Sequence, residues 1–162
     1  FGMKILYYQR HRRIEEEQQF GIEYADNLDT LLQNSDFVSL HVPLTPDTYH
    51  LISEKQFKLM KQHALLINTS RGSVVDQGAL YTALSNSIIA GAAIDVTEAE
   101  PIPLNDPLLS LKNITITPHI ASAGISARIQ MALMAAENLL AALKGEQMPS
   151  CANPEVVQSA RS

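Results

Sequence analysis

Ala64-Leu65-Leu66-Ile67-Asn68-Thr69-Ser70-Arg71-Gly72 is the stretch that decides the fold class. Its apolar residues are consecutive rather than alternating, as in a strand buried on both faces, and it breaks off into small polar residues, a guanidinium and a glycine. Runs of the same kind recur at 4–8, 36–42, 89–96 and 114–117, with a shorter candidate at 22–24. Five strands are therefore predicted, and a sixth short one is a candidate.

Helical segments with readable starts lie between them. Asn27 is placed to cap a helix over 28–33, Ser53 with Gln56 makes a capping box before Phe57, Leu59 and Met60, and Asp76 can cap 77–85. The last helix, 126–144, carries Ile129, Leu133, Ala136, Leu140 and Leu143 along one face and stops at Gly145, as a C-terminal glycine signal predicts. Strands alternating with helices through short connections make the pattern of a doubly wound parallel α/β domain. In such domains ligands bind beyond the carboxyl ends of the strands.

The chain has 162 residues, 46% apolar and 18% charged, which suits one globular domain. Twelve Lys and Arg stand against 17 Asp and Glu, a formal charge of −5, so the cation excess that holds a phosphate backbone is missing and no nucleic-acid partner is expected. No stretch approaches the roughly 20 apolar residues of a membrane span, so no membrane partner is expected either. A single cysteine, Cys151, excludes an internal disulfide and fits a reducing compartment; together with the lack of a targeting signal it makes the cytoplasm the expected location. The chain opens almost directly on a buried strand, the expected mark of a fragment. After Gly145 the composition turns polar, with Pro149 and Pro154.

Function is sought at the strand ends. After the first strand comes Gln9-Arg10-His11-Arg12-Arg13. In a dinucleotide-binding unit an acidic residue at this place takes the ribose 2'-hydroxyl, whereas arginine suits a 2'-phosphate. The alternative is a solvated loop whose cations pair with Glu15, Glu16 and Glu17. The GxGxxG fingerprint that should precede this strand is absent, since the seven glycines never cluster. After the second strand, Pro43 and Pro46 break the extended chain and fix a rigid loop. The third strand delivers Arg71, either to an ordinary ion pair or, as a fork, to a substrate carboxylate.

The fourth and fifth strands run into Glu100-Pro101 and Thr117-Pro118-His119. A lone histidine is more often structural, but Arg71, Glu100 and His119 follow successive strands, where one cleft can collect them. Guanidinium, carboxylate and imidazole together suit a carbonyl substrate bearing a carboxylate, with the imidazole moving the proton. The five histidines show no metal-ligand spacing, and no metal is expected. Ser70 lacks the GxSxG context of a serine hydrolase.

Ile67-Asn68-Thr69-Ser70-Arg71-Gly72, Ala93-Ile94-Asp95-Val96-Thr97-Glu98-Ala99-Glu100-Pro101 and Thr117-Pro118-His119-Ile120-Ala121-Ser122 resemble the signature segments of the D-isomer-specific 2-hydroxyacid dehydrogenases. Ile5-Leu6-Tyr7-Tyr8-Gln9-Arg10 and the loop 101–109 are similar to the glyoxylate/hydroxypyruvate reductase subgroup. The resemblance runs from about Met3 to Pro149. It implies a Rossmann-type NAD(P)-binding domain lacking its first strand and glycine loop, with a long C-terminal helix. Arg71 would bind the substrate carboxylate and polarise the keto group. His119 would exchange a proton with the substrate oxygen, and Glu100 would hydrogen-bond His119 and favour its imidazolium form. Pro43 and Thr48 would line the adenosine side of the cofactor, and Thr69, Ser70, Arg71, Asp95, His119 and Ala121 would lie toward its nicotinamide end. The family more often has Gly-Ser-Ala-Thr where this chain has Ala121-Ser122-Ala123-Gly124.

The resulting expectation is part of an oxidoreductase transferring a hydride between NAD(P)H and a small 2-oxo or 2-hydroxy acid, glyoxylate or hydroxypyruvate. NADP(H) is favoured over NAD(H) through Gln9, Arg10 and Arg12, and a homodimer is expected. The alternative is a non-catalytic dinucleotide-sensing or scaffold protein of the same ancestry. The domain organisation expected is a partial dinucleotide-binding domain over 1–124, a long helix over 125–145 returning toward a substrate domain, and a polar tail over 146–162.

Overall fold

The computed structural model describes residues 2–155 of the 162. Two compact units divide between His119 and Ile120. The first holds six short parallel strands in two sheets. Strands β1 (Leu6–Tyr7) and β2 (Glu23–Tyr24) pair with each other, and β3 (Phe37–Leu40), β4 (Leu65–Asn68), β5 (Gly91–Ile94) and β6 (Ile114–Ile116) form a four-stranded sheet in chain order. All five predicted strands and the short candidate are present, each shorter than its apolar run or candidate stretch, because ladder pairing ends where the chain turns away while apolar side chains continue into the flanking loops.

The helices joining them are α1 (Ile14–Phe20), α2 (Leu28–Asn34), α3 (Glu54–Leu59) and α4 (Gln77–Ser85). Asn27 Oδ1 accepts the Thr30 N–H at 2.8 Å and Asp76 Oδ1 accepts the Ala79 N–H at 2.9 Å, the caps predicted from sequence. At α3 the Gln56 Oε1 accepts from the Ser53 hydroxyl at 2.9 Å and from its N–H at 3.3 Å. Helix α1 was not predicted. Its signals were an acidic first turn, Glu15 to Glu17, and Gly21, which ends it in the left-handed region at φ 63°.

The core lies between the larger sheet and α2, α3 and α4. Leu32, Phe57, Leu80 and Leu84 from the helices pack against Val38, Leu66 and Ile94 from the strands, all buried. Burial on both faces of the sheet, expected from the consecutive apolar residues, is not observed. Phe37, Leu65 and Ala93 point to the opposite face and are exposed, because α2 to α4 cover one side only.

The second unit contains α5 (Ile125–Lys144), ended by Gly145 at φ 72° as predicted. Asn138 Oδ1 accepts the Ser150 N–H at 2.9 Å and so holds the segment after the helix. The apolar face predicted for this helix is exposed at Ile129, Leu133, Leu140 and Leu143. The expected tail 146–162 is described only as far as Glu155; 156–162 lie outside the described residues. No helix among the described residues is long and apolar enough to cross a membrane.

Candidate active site

The turn after β4 is built by a buried side chain. Asn68 Oδ1 accepts the N–H of Ser70 at 3.0 Å and its hydroxyl at 2.9 Å, while Asn68 Nδ2 donates to the Arg71 carbonyl at 3.0 Å. This gives both ends of the amide a partner where burial would otherwise be costly, and it sets the course of Thr69-Ser70-Arg71. Gly72 then passes against the chain after β5. A Cβ at position 72 would overlap the Thr97 carbonyl and the Glu98 nitrogen, both backbone atoms, so only glycine fits.

That contact brings together two predicted site segments. Thr97 N–H donates to Glu100 Oε1 at 3.2 Å, and the Thr97 hydroxyl donates to the Ala99 carbonyl at 2.7 Å. Glu100 in turn meets His119: Nδ1 lies 2.8 Å from Glu100 Oε2. A carboxylate only accepts, so Nδ1 carries the hydrogen in this pair and Nε2 is the ring atom turned to other work. The His119 backbone sits in the left-handed region at φ 53°, held by its N–H donating to the carbonyls of Asp95 at 2.9 Å and Thr117 at 3.1 Å. Buried Asp95 also accepts from the Thr117 hydroxyl. The His119 hydrogen bond, foremost, holds the Glu100 carboxyl below its ordinary value against the opposing effect of burial; the Thr97 N–H and the charges of His119 and Arg71 contribute in the same direction.

Arg71 is exposed and donates to the Ser70 carbonyl at 2.6 Å. The ion-pair alternative is not observed, since no carboxylate pairs with it among the described residues. A cleft of about 560 Å³ opens between the ends of β3 and β4, lined by Pro43, Thr69, Ser70 and Arg71 among others. Thr48 does not line the cleft but secures its wall: its hydroxyl donates to the Pro43 carbonyl at 2.6 Å and accepts the Thr45 N–H at 2.8 Å. The proline-bearing loop is thus closed by its own side-chain hydrogen bonds.

The cluster after β1 is partly spent on α1. Arg12 grips Glu17 through Nε at 2.9 Å and Nη2 at 2.8 Å, and Arg13 reaches Glu16 at 2.8 Å, the solvated-loop alternative for these two residues. Gln9 turns its amide to the His11 carbonyl at 2.7 Å. Arg10 crosses instead to Asp47. Ala121 belongs to the second unit.

A brace that sequence reasoning missed joins the loop after β3, the start of α4 and the segment after β5. His50, at φ 50°, places Nε2 2.9 Å from Glu98 Oε1 and Nδ1 3.8 Å from Asp76 Oδ2. Gln77 and Glu98 exchange bonds, each side chain accepting the other's backbone N–H at 3.0 Å. These residues are far apart in the chain, so no local pattern could reveal them.

The carboxyl ends of the strands in this parallel α/β sheet thus gather a proline loop, a guanidinium and an imidazole–carboxylate pair, at the edge where such folds bind their ligands. Residues 1–121 match the family model for the D-isomer specific 2-hydroxyacid dehydrogenase NAD binding domain, and the chain belongs to that family. It is 56% identical to a glyoxylate reductase of Korarchaeum cryptofilum over 158 residues, 98% of this chain and 47% of that protein. It is 47% identical to glyoxylate/hydroxypyruvate reductase B of Pectobacterium carotovorum, covering 98% of this chain and 49% of that one. The fold matches the crystal structure of D-lactate dehydrogenase with NAD+ from Lactobacillus jensenii at a TM-score of 0.84 and 34% identity, over 91% of this chain and 48% of that one. The chain spans about half the length of the curated relatives it matches.

Proposed function

We propose that these residues form the cofactor-side half of the active site of a nicotinamide-dependent 2-oxoacid reductase acting on glyoxylate or hydroxypyruvate, with NADPH preferred. The observation that carries this reading is the 2.8 Å His119–Glu100 pair beside an Arg71 without a carboxylate partner among the described residues. The cleft walled by Pro43 and Thr69 falls within the range of about 300–1,000 Å³ usual for small-molecule sites, so it can take one end of a dinucleotide. A bound nicotinamide dinucleotide would supply the hydride.

The protein's own groups do the rest. Arg71 binds the substrate carboxylate through its fork and draws charge from the neighbouring carbonyl. Glu100 fixes the ring of His119 through Nδ1, so Nε2 delivers a proton to the substrate oxygen in reduction and removes it in oxidation. Thr69, Ser70 and Asp95 position the nicotinamide end, Pro43, braced by Thr48, walls the adenosine end, and Gln9 and Arg10 meet the 2' position beside the Arg12–Glu17 pair. A scaffold protein would need none of this proton-moving apparatus.

We assign 1–124 to the dinucleotide domain, 125–145 to a helix reaching a substrate domain and 146–162 to a tail, in a cytoplasmic homodimer. The test is NADPH oxidation by the complete protein with glyoxylate and hydroxypyruvate. Turnover with either acid is the expected result; turnover with neither would defeat the reading.

A further inference from the structure

Among the three arginines after β1, Arg10 alone reaches another loop. Its Nη2 lies 2.7 Å from Asp47 Oδ2, and the two side chains are 69% and 77% exposed. Arg12 is committed more deeply, because its two bonds go to a Glu17 whose side chain is only 14% exposed and which also accepts the Tyr7 hydroxyl at 2.6 Å. Asp47 is not a drifting partner, since it sits between Pro46 and the Thr48 that closes the loop onto Pro43. A carboxylate thus stands on the loop that bears Pro43, paired with the cation best placed to meet a 2'-phosphate.

We propose that Asp47 is an internal competitor for the 2'-phosphate and that it sets how far the protein prefers the phosphorylated dinucleotide. This rests on reading the β1 and β3 loops as the adenosine end of the site. A phosphate offers Arg10 more charge and more acceptor oxygens than a carboxylate does, so it can displace a pair exposed to this degree. The Arg12 fork, anchored by a third group, stays in place. A dinucleotide with a free 2'-hydroxyl does not contest Arg10, so the cost falls on the phosphorylated form alone.

The test is a double-mutant cycle in the complete protein, reading the affinity ratio of adenosine 2',5'-bisphosphate to 5'-AMP by calorimetry, ligands that differ only in the 2'-phosphate. Asp47→Asn is expected to raise the ratio about two- to fivefold, the scale of an exposed ion pair, and Arg10→Ala to lower it roughly tenfold or more. In the double variant the gain from Asp47→Asn should vanish. The inference is overturned if Asp47→Asn leaves the ratio unchanged or lowers it, or raises it equally without Arg10. A silent Asp47→Asn with an effective Arg10→Ala sinks this inference and spares the reading of the loops; a silent Arg10→Ala sinks both.

Discussion

Gly72 packs against Thr97 so tightly that a Cβ on the glycine would overlap the Thr97 carbonyl. The obstruction is backbone on both sides, so no rotamer change relieves it. Gly72→Ala must push the turn bearing Arg71 away from the segment bearing Glu100. We expect a loss of about 1–3 kcal/mol in stability, the usual cost of overpacking. Activity should fall further than stability alone explains. Thermal unfolding and turnover of the complete protein check this; a variant with wild-type melting and wild-type turnover would contradict it.

His119→Gln removes the proton carrier while keeping a hydrogen-bonding side chain toward Glu100. Turnover should drop roughly 100-fold or more. Glu100→Gln should instead alter the pH profile, since His119 Nδ1 loses a charged partner 2.8 Å away. Arg71→Lys should act mainly on substrate KM, because a point charge does not reproduce the guanidinium fork. Steady-state kinetics across pH separate the three; unchanged kinetics in all of them would place the site elsewhere.

Glu17 reports on the β1–α1 region. The Arg12 guanidinium first, and the Tyr7 hydroxyl second, hold its carboxyl down from the ordinary 4.5 to about 2. A depressed carboxylate contributes stability that is complete above its unfolded value and is lost as pH falls through the folded one. This contribution is therefore present above about pH 4.5 and disappears toward pH 2. Tyr7→Phe should raise the Glu17 titration, as carbon-detected NMR can show. A wild-type Glu17 titrating near its ordinary value would contradict the assignment.

Apolar surface left open should drive association. Phe37 is 55% exposed on the uncovered sheet face and Leu143 is 77% exposed on α5. Patches of this kind mark interfaces, and β3, at an edge of its sheet, offers unpaired backbone groups. The 162-residue chain should sediment with a concentration-dependent mass. Phe37→Lys should reduce that dependence. A strictly monomeric profile at high concentration would argue against both this association and the proposed homodimer.

The sequence by itself determined what short-range chemistry controls. The caps at Asn27 and Asp76, the stop at Gly145 and the consecutive apolar runs were legible because each depends on residues a few positions apart. Arg71, Glu100 and His119 were legible as a set because they follow successive strands, and a parallel sheet places all its strand ends along one edge. Strand lengths were not, since pairing depends on a neighbour's course and not on a strand's own composition. The tertiary structure decided the pairings across the chain: Arg12 with Glu17, Arg10 with Asp47, His50 with Glu98. The chain offers several carboxylates to each of these basic side chains, so which pair forms depends on where the backbone carries them. The uncovered sheet face has the same origin. A run of apolar residues states that burial is favourable on both sides, and only the placement of helices decides which side receives it.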